Sequence, residues 1–362
     1  MNNLVKLENS SIESNADALE ISSSANNGNQ ANQDSQNINN NANSFYNNSV
    51  PVLSTHNITK TYGNINAVDD VSLNIQKGDI YGLVGLNGSG KTTLIRMITS
   101  LVKPTSGDFR LFGKAGSNTE NLTRISSMIE KPAIYTNLSA SDNLEAQCGI
   151  VGVAKEAKKA TKERLLEMVG LQNVAKKQAK DFSLGMRQRL GIAMALVGDP
   201  EFMLLDEPTN GLDPSGIAQM RELLMRVNRE QGITILICSH ILVELAKMAT
   251  RYGFIHRGKL IQEITSDELV SRCQACIKIE TSDVNKTVDA FRSKGIEPRT
   301  TKLHNTIEIP PTVTVSMAYE LLKPRGVEII KMQSAGGDLE SYFTNLITKY
   351  DAACANMGGY MR

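Results

Sequence analysis

Nothing in this chain of 362 residues approaches the roughly 20 consecutive apolar residues that a membrane span needs. The stretch from Ile233 to Cys238, broken only by Thr234, suits a buried strand instead. A charged n-region followed by an apolar h-region is also missing at the N-terminus, so no secretory signal is expected and the chain reads as soluble. Excess charge of either sign is absent: the net charge is +1, which leaves no bulk electrostatic case for nucleic acid or an acidic membrane surface. The basic stretch from Lys155 to Lys180 is interleaved with Glu156, Glu163 and Glu167 and reads as a solvated helix face. Cysteines number five and are scattered, which fits a reducing compartment better than a disulfide framework. Cys273-Gln274-Ala275-Cys276 has the spacing of a redox or half-zinc site. It has no second pair, and His256 and His304 lack the usual ligand spacing, so incidental cysteines are the favoured reading.

What is present is an ordinary globular composition, 41% apolar and 21% charged, in a length that allows about two or three domains. Residues 1–50 are rich in Asn, Ser, Gln and Ala and cannot bury enough apolar surface to offset their ordering entropy, so disorder is expected there. From Val52, short apolar strands alternate with helical stretches. The runs 80–84, 202–205 and 233–238 are nearly continuous, as in strands covered on both faces by helices, which predicts a largely parallel sheet in an α/β fold. A long, mostly helical insertion is expected between about 143 and 179, with Leu165, Leu166, Val169 and Leu171 at helical spacing.

A separate α+β unit is expected after about residue 265. Strand 277–280, helix 284–293, a strand pair 296–301 and 306–309, helix 315–322 and strand 327–332 follow the order of a split βαβ, ferredoxin-like unit. A last helix, from Asp338 to about residue 348, carries Leu339, Tyr342, Phe343 and Leu346 largely on one face, a stripe suited to core packing. The expected organisation is therefore an extension over 1–50 and a main domain over 51–265, with a helical subdomain at about 125–190. A C-terminal unit over 266–350 and a tail over 351–362 complete it.

Gly85-Leu86-Asn87-Gly88-Ser89-Gly90-Lys91-Thr92 satisfies the whole phosphate-loop pattern, between a strand-like run and a helix that begins near Thr93. The glycines allow the tight fold that aims several N–H groups and a helix N-terminus at one phosphate chain. Lys91 is placed to reach the β- and γ-phosphates, and the Thr92 hydroxyl to ligate Mg²⁺. Downstream, Phe202-Met203-Leu204-Leu205-Asp206-Glu207 is an apolar strand ending in two acids. Asp206 suits a Mg²⁺ ligand acting through water, and Glu207 suits a group that polarises water against the γ-phosphate. The turn in Pro208-Thr209-Asn210-Gly211-Leu212-Asp213-Pro214 carries Asp213 away from that strand.

With these motifs in order, residues 52 to about 265 resemble the nucleotide-binding subunit of an ABC transporter, a P-loop NTPase cassette. Phe182-Ser183-Leu184-Gly185-Met186-Arg187-Gln188-Arg189 resembles the family signature, keeping Ser183 and Gly185 but departing at Phe182, Leu184 and Met186. The resemblance implies that Ser183, Gly185 and Asp213 face the γ-phosphate held by a second copy. It also implies that His240 contacts the γ-phosphate and that Tyr62 stacks on adenine. Without that context Ser183 is a helix N-cap and His240 a structural histidine. Where the family carries glutamine, this chain has Glu130. The resemblance implies that Glu130 serves as a catalytic and Mg²⁺-binding residue, touching the metal or the attacking water and relaying the nucleotide state to the membrane subunits. A carboxylate there is repelled by phosphates and attracted by Mg²⁺, so metal occupancy should control its ionisation. Glu130, the Ser-Leu-Gly-Met signature and the acidic-aromatic run Asp338-Leu339-Glu340-Ser341-Tyr342-Phe343 resemble the bacitracin and lantibiotic self-immunity exporters.

What the resemblance implies is an ATP- and Mg²⁺-dependent ATPase, head to tail in a homodimer, on the cytoplasmic face of the membrane through separate permease subunits. Exporters of other drugs, lipids or polysaccharides remain alternatives. So does a non-transport ATPase acting on ribosomes or DNA, against which stand the single phosphate loop and the absence of sustained heptads. The C-terminal unit shows no catalytic constellation; dimer support or regulation is its expected role.

Overall fold

The computed structural model describes residues 50–116, 118–273, 276–300, 305–335 and 339–358. The N-terminal extension, Gln274, Ala275, His304 and Asp338, each read above, lie outside them. Six strands build the central sheet: β4 (Ile80–Val84), β7 (Ile125–Met128), β8 (Phe202–Asp206), β9 (Thr234–Ser239), β10 (Arg251–His256) and β11 (Lys259–Thr265). They lie in the order β11-β10-β4-β9-β8-β7, parallel except for β11, which returns antiparallel along β10.

Every residue of β4, β8 and β9 is buried, and the period of two decides where each goes. Ile80, Val84, Met203, Leu205, Ile235 and Ile237 enter one apolar cluster with the helical insertion. Tyr81, Leu83, Phe202, Leu204, Leu236 and Cys238 enter a second. That second cluster is closed by an antiparallel sheet of β1 (Leu53–Tyr62), β2 (Ile65–Val71), β3 (Asn74–Ile75), β5 (Ser106–Leu111) and β6 (Lys114–Ala115). The continuous apolar runs thus reflect coverage on both faces.

The insertion holds two helices, Ala140–Val151 and Lys155–Met168, parted at Gly152, which is left-handed (φ 83°) and caps the first. Lys158 and Lys162 on the second reach Glu145 on the first at 3.2 and 2.7 Å, so part of the basic stretch bridges helices at the surface. Because β7 is a strand of the central sheet, the helical part begins only after Met128.

The C-terminal unit has β12 (Cys276–Thr281), β13 (Arg299–Thr300), β14 (Thr306–Ile309) and β15 (Ile329–Ala335) in the antiparallel order β13-β14-β12-β15. Helices Val284–Arg292 and Val315–Leu322 pack Ala290, Phe291, Ala318 and Leu322 on Ile279, Ile307 and Ile309. That is the ferredoxin-like order read from the sequence, with β13 reduced to two residues. The terminal helix differs more: it runs Leu339–Gly358, beyond the expected end near 348 and through the start of the expected tail. Its apolar stripe leaves the C-terminal unit and joins the main core, with Phe343 buried against Phe254 at a centroid distance of 5.8 Å. Helical periodicity identified the stripe, but not which core would receive it.

Candidate functional site

Three glycines shape the loop between β4 and the helix Lys91–Ile98, each for a steric reason. A Cβ on Gly85 would lie 2.4 Å from Ser89 Oγ and 2.5 Å from the Ile255 carbonyl. Gly90 has φ +108° and room for no Cβ, which would fall 2.3 Å from the Ala67 carbonyl. Gly88 (φ +79°) is, with Gly90, the second left-handed residue of the loop. Gly90 also caps the helix, with no side-chain cap, so the first-turn N–H groups are left for an anion. Ala67, Asn87, Gly88, Ser89, Gly90, Lys91, Thr92, Thr93, Asp206 and Glu207 line a cleft of about 190 Å³. That volume is below the range for a whole ligand and suits a phosphate tail.

The buried Lys91 ammonium is held by its own loop, donating to the Gly85 carbonyl at 2.7 Å and the Leu86 carbonyl at 3.2 Å. It lies 3.4 Å from Glu207 Oε1. The Thr92 hydroxyl donates to Asp206 Oδ2 at 2.7 Å. Asp206 Oδ1, Glu207 Oε1 and Ser89 Oγ are buried and make no hydrogen bond among the described residues. Burial, abetted by the charge of Glu207, raises the Asp206 carboxyl above the usual carboxylate range; the Thr92 hydroxyl and Lys91 pull the other way. A hard cation is the natural counterpart of that donor set, an ionisable oxygen with a free lone pair beside a hydroxyl. Thr92 and Asp206 therefore fit Mg²⁺.

Glu207 follows directly in the left-handed region (φ 50°), its N–H bonded to the Cys238 carbonyl at 3.0 Å. This turn sends its carboxylate to His240, with Oε2 2.9 Å from Nδ1. A non-glycine residue held at positive φ carries backbone strain, and this one borders the cleft. Thus Lys91, Thr92, Asp206, Glu207 and His240, spread over 150 residues of sequence, meet because β4, β8 and β9 are adjacent in one sheet.

Other expected site residues stand apart. Tyr62 ends β1, 47% exposed, with Lys60 Nζ 5.2 Å from its ring centroid. Glu130, just after β7, has φ 63° and is paired with Arg96 at 2.6 Å rather than lining the cleft. Its charge still helps to raise Asp206. Arg96 carries no motif, and only the fold reveals its pairing.

An ABC transporter family model matches residues 68–210. The bacitracin transport ATP-binding protein BcrA of Bacillus licheniformis is 41% identical over 82% of this chain and 97% of its own length. The lantibiotic transport ATP-binding protein SrtF of Streptococcus pyogenes is 45% identical over 59% of this chain and 90% of its own. This chain belongs to the ABC transporter ATP-binding subunits. Among solved structures, a dimeric ATP-binding cassette in a post-hydrolysis state with ADP and phosphate matches with a TM-score of 0.54. It is 27% identical and covers 59% of this chain and 98% of its own. The cbiO1 protein of Clostridium perfringens, part of an ABC transporter complex, matches with a TM-score of 0.56 at 24% identity, covering 61% and 91%.

In this ABC ATPase the signature residues lie outside the cleft of their own chain. Ser183 caps the helix Leu184–Ala195, its hydroxyl accepting from the Met186 N–H at 3.3 Å. Asp213 caps the helix Pro214–Gln231 through the Gly216 N–H at 3.2 Å. Gly185 is different in kind: an added Cβ would find nothing nearer than Leu212 Cδ2 at 3.7 Å. No contact among the described residues requires glycine there. No helix among the described residues is long and apolar enough to cross a membrane.

Proposed function

We propose that this chain binds and hydrolyses ATP to drive an exporter conferring resistance or self-immunity to peptide antibiotics of the bacitracin or lantibiotic kind. The observation that carries the hydrolytic reading is the quartet of buried Lys91 and Asp206 with half-buried Thr92 and Glu207 around a phosphate-sized cleft. The cargo reading rests on the bacitracin and lantibiotic transport relatives. Separate permease subunits would carry the cargo and hold the ATPase at the cytoplasmic face of the membrane.

On nucleotide binding, the phosphates replace the Gly85 and Leu86 carbonyls as partners of Lys91. Thr92 and Asp206 would hold Mg²⁺, which when bound would supply charge neutralisation at the phosphate oxygens. Glu207 orients and polarises the attacking water, and His240 fixes the Glu207 carboxylate and faces the γ-phosphate. Tyr62 takes the adenine. Ser183, Gly185 and Asp213 of a second copy close the cleft, giving a head-to-tail sandwich. Glu130, on the surface beside Arg96, acts as a coupling residue between nucleotide state and permease. The unit from Ser266 onward has an accessory role.

Steady-state ATPase activity and dimer mass under ATP, for wild type, Glu207→Gln and Glu130→Gln, test this reading. Glu207→Gln is expected to lose about 10²-fold or more in turnover and to accumulate as an ATP-bound dimer. Normal turnover by Glu207→Gln with loss in Glu130→Gln reassigns catalysis to Glu130. A monomeric, fully active mutant defeats the sandwich. For the cargo, co-expression with the permease should raise survival in bacitracin or a lantibiotic in wild type and not in Glu207→Gln.

A further inference from the structure

The turn between β10 and β11 lies against the back of the phosphate loop. Arg257 (φ 49°) and Gly258 (φ 80°) are its two central residues, both left-handed, as a two-residue antiparallel hairpin with the sheet's twist demands. The Gly258 N–H donates to the Ser89 carbonyl at 2.9 Å, and its carbonyl accepts from the Asp69 N–H at 2.9 Å. Gly258 is also wedged sideways: a Cβ there would stand 3.1 Å from both the Asn66 and Ala67 carbonyls. One glycine therefore spaces the phosphate loop from β2, and Ser89 and Ala67 both line the cleft.

The other side of this turn is held from the far end of the chain. Asp351, on the terminal helix, places Oδ1 3.1 Å from His256 Nε2 and 3.4 Å from Arg257 Nη1. The Tyr350 ring stands edge-on to His256 at 6.1 Å. Two turns earlier, Tyr342 and Phe343 pack on Phe254, and the Tyr342 hydroxyl donates to Gln262 Oε1 at 3.0 Å. The helix is thus fastened to β10 and β11 by its aromatic residues, and its next half carries one carboxylate to the turn that spaces the loop. His256 is buried, so that contact is set by packing and not by a loose surface charge.

We infer that Asp351 is a positioning residue for the ATP phosphates: through His256 and Arg257 it fixes the Gly258 turn, which in turn fixes Ser89. The inference rests on the nucleotide reading proposed above. It makes the terminal helix part of the ATP site's support although no residue of that helix reaches the cleft. A bound phosphate chain depends on loop N–H groups held to within fractions of an ångström, so a turn free to shift weakens nucleotide binding before it touches the chemistry.

The test uses the full chain as wild type, Asp351→Ala and Asp351→Asn, with a fluorescent ATP analogue and amide hydrogen exchange of the nucleotide-free protein. Asp351→Ala is expected to bind the analogue about three- to tenfold more weakly, the net size of one ordinary hydrogen bond, since the contact acts on the site only through the turn. KM for ATP should rise by a like factor while kcat at saturation stays within about twofold. Asp351→Asn, which keeps the shape and loses the charge, should fall between the two. Exchange at the Gly258 amide should quicken in Asp351→Ala while strand amides of β4 and β9 keep their protection. Unchanged Gly258 exchange in both variants overturns the inference, as does a loss of protection spread over the whole sheet, which marks a purely structural role. A wild type that fails to bind the analogue defeats the nucleotide reading, and with it the role toward ATP; the amide exchange then still decides whether Asp351 fixes the Gly258 turn.

Discussion

Asp206 is where single-residue physics is most exposed. Its carboxyl is buried, keeps one oxygen without a hydrogen bond, and has a raised pKa because burial disfavours the charged form. A group whose folded pKa exceeds its unfolded value contributes stability at low pH that is lost as pH rises through the folded pKa. Ionised Asp206 therefore weighs against the nucleotide-free fold at neutral pH, and bound Mg²⁺ reverses the sign. Asp206→Asn should raise the Tm of the nucleotide-free protein at pH 7 by about 2 °C or more and abolish the further rise expected of wild type with MgATP. The Tm gap between mutant and wild type should open as pH climbs from about 4; a gap independent of pH speaks against this origin. Residue-scale chemistry was legible here because Asp206 and Glu207 are contiguous and close an apolar run. Arg96 was not, since its partner Glu130 is 34 residues away and no local pattern links them.

At the scale of the element, Ser183 and Gly185 lie two residues apart on one helix start and separate structure from assembly. Ser183 has a local task, capping the Met186 N–H, so Ser183→Ala should lower stability by about 1 kcal/mol as well as activity. Gly185 has none: an alanine Cβ fits at 3.7 Å from its nearest neighbour, and alanine favours a helix more than glycine does. Gly185→Ala should leave the melting temperature unchanged or slightly raised while reducing ATP hydrolysis, because on the proposed head-to-tail sandwich the added methyl would face a second copy's nucleotide. A stable, fully active Gly185→Ala would remove the reason for placing that residue in a shared site. The cassette's strands and helices were largely readable in advance, since buried parallel strands write continuous apolar runs. The pair expected over 296–301 and 306–309 was read more generously than the fold uses it, with β13 confined to Arg299 and Thr300.

For the whole molecule, the terminal helix is the element whose place depends most on everything else. Phe343, buried against Phe254 and the main core, ties the last residues of the chain to a central strand. Phe343→Ala should cost about 3 kcal/mol, the low end for a large aromatic lost from a core, measured by denaturant unfolding. It should also expose β10 and β11 to faster amide exchange. A cost below about 1 kcal/mol would mean that the helix adds little to the cassette. A truncation after Thr265 would strip this helix from the cassette along with the C-terminal unit. Its effect on dimerisation is cleanly read only beside a variant that retains residues 339–358.

The sequence by itself determined what is written in contiguous residues. These are the phosphate loop, the acidic pair after an apolar strand, the alternation of buried strands and helices, and the βαββαβ order of the C-terminal unit. Each follows from short-range rules: a glycine's freedom to adopt positive φ, a strand's period of two, a helix's of 3.6. Tertiary structure alone decided which partners meet across the chain. It set His240 on Glu207, Arg96 on Glu130, the terminal helix on the main core, and Asp351 at the turn behind Ser89. Those pairings depend on strand order and helix docking, which arise from the joint burial of many apolar faces and leave no local mark on the residues that come to touch.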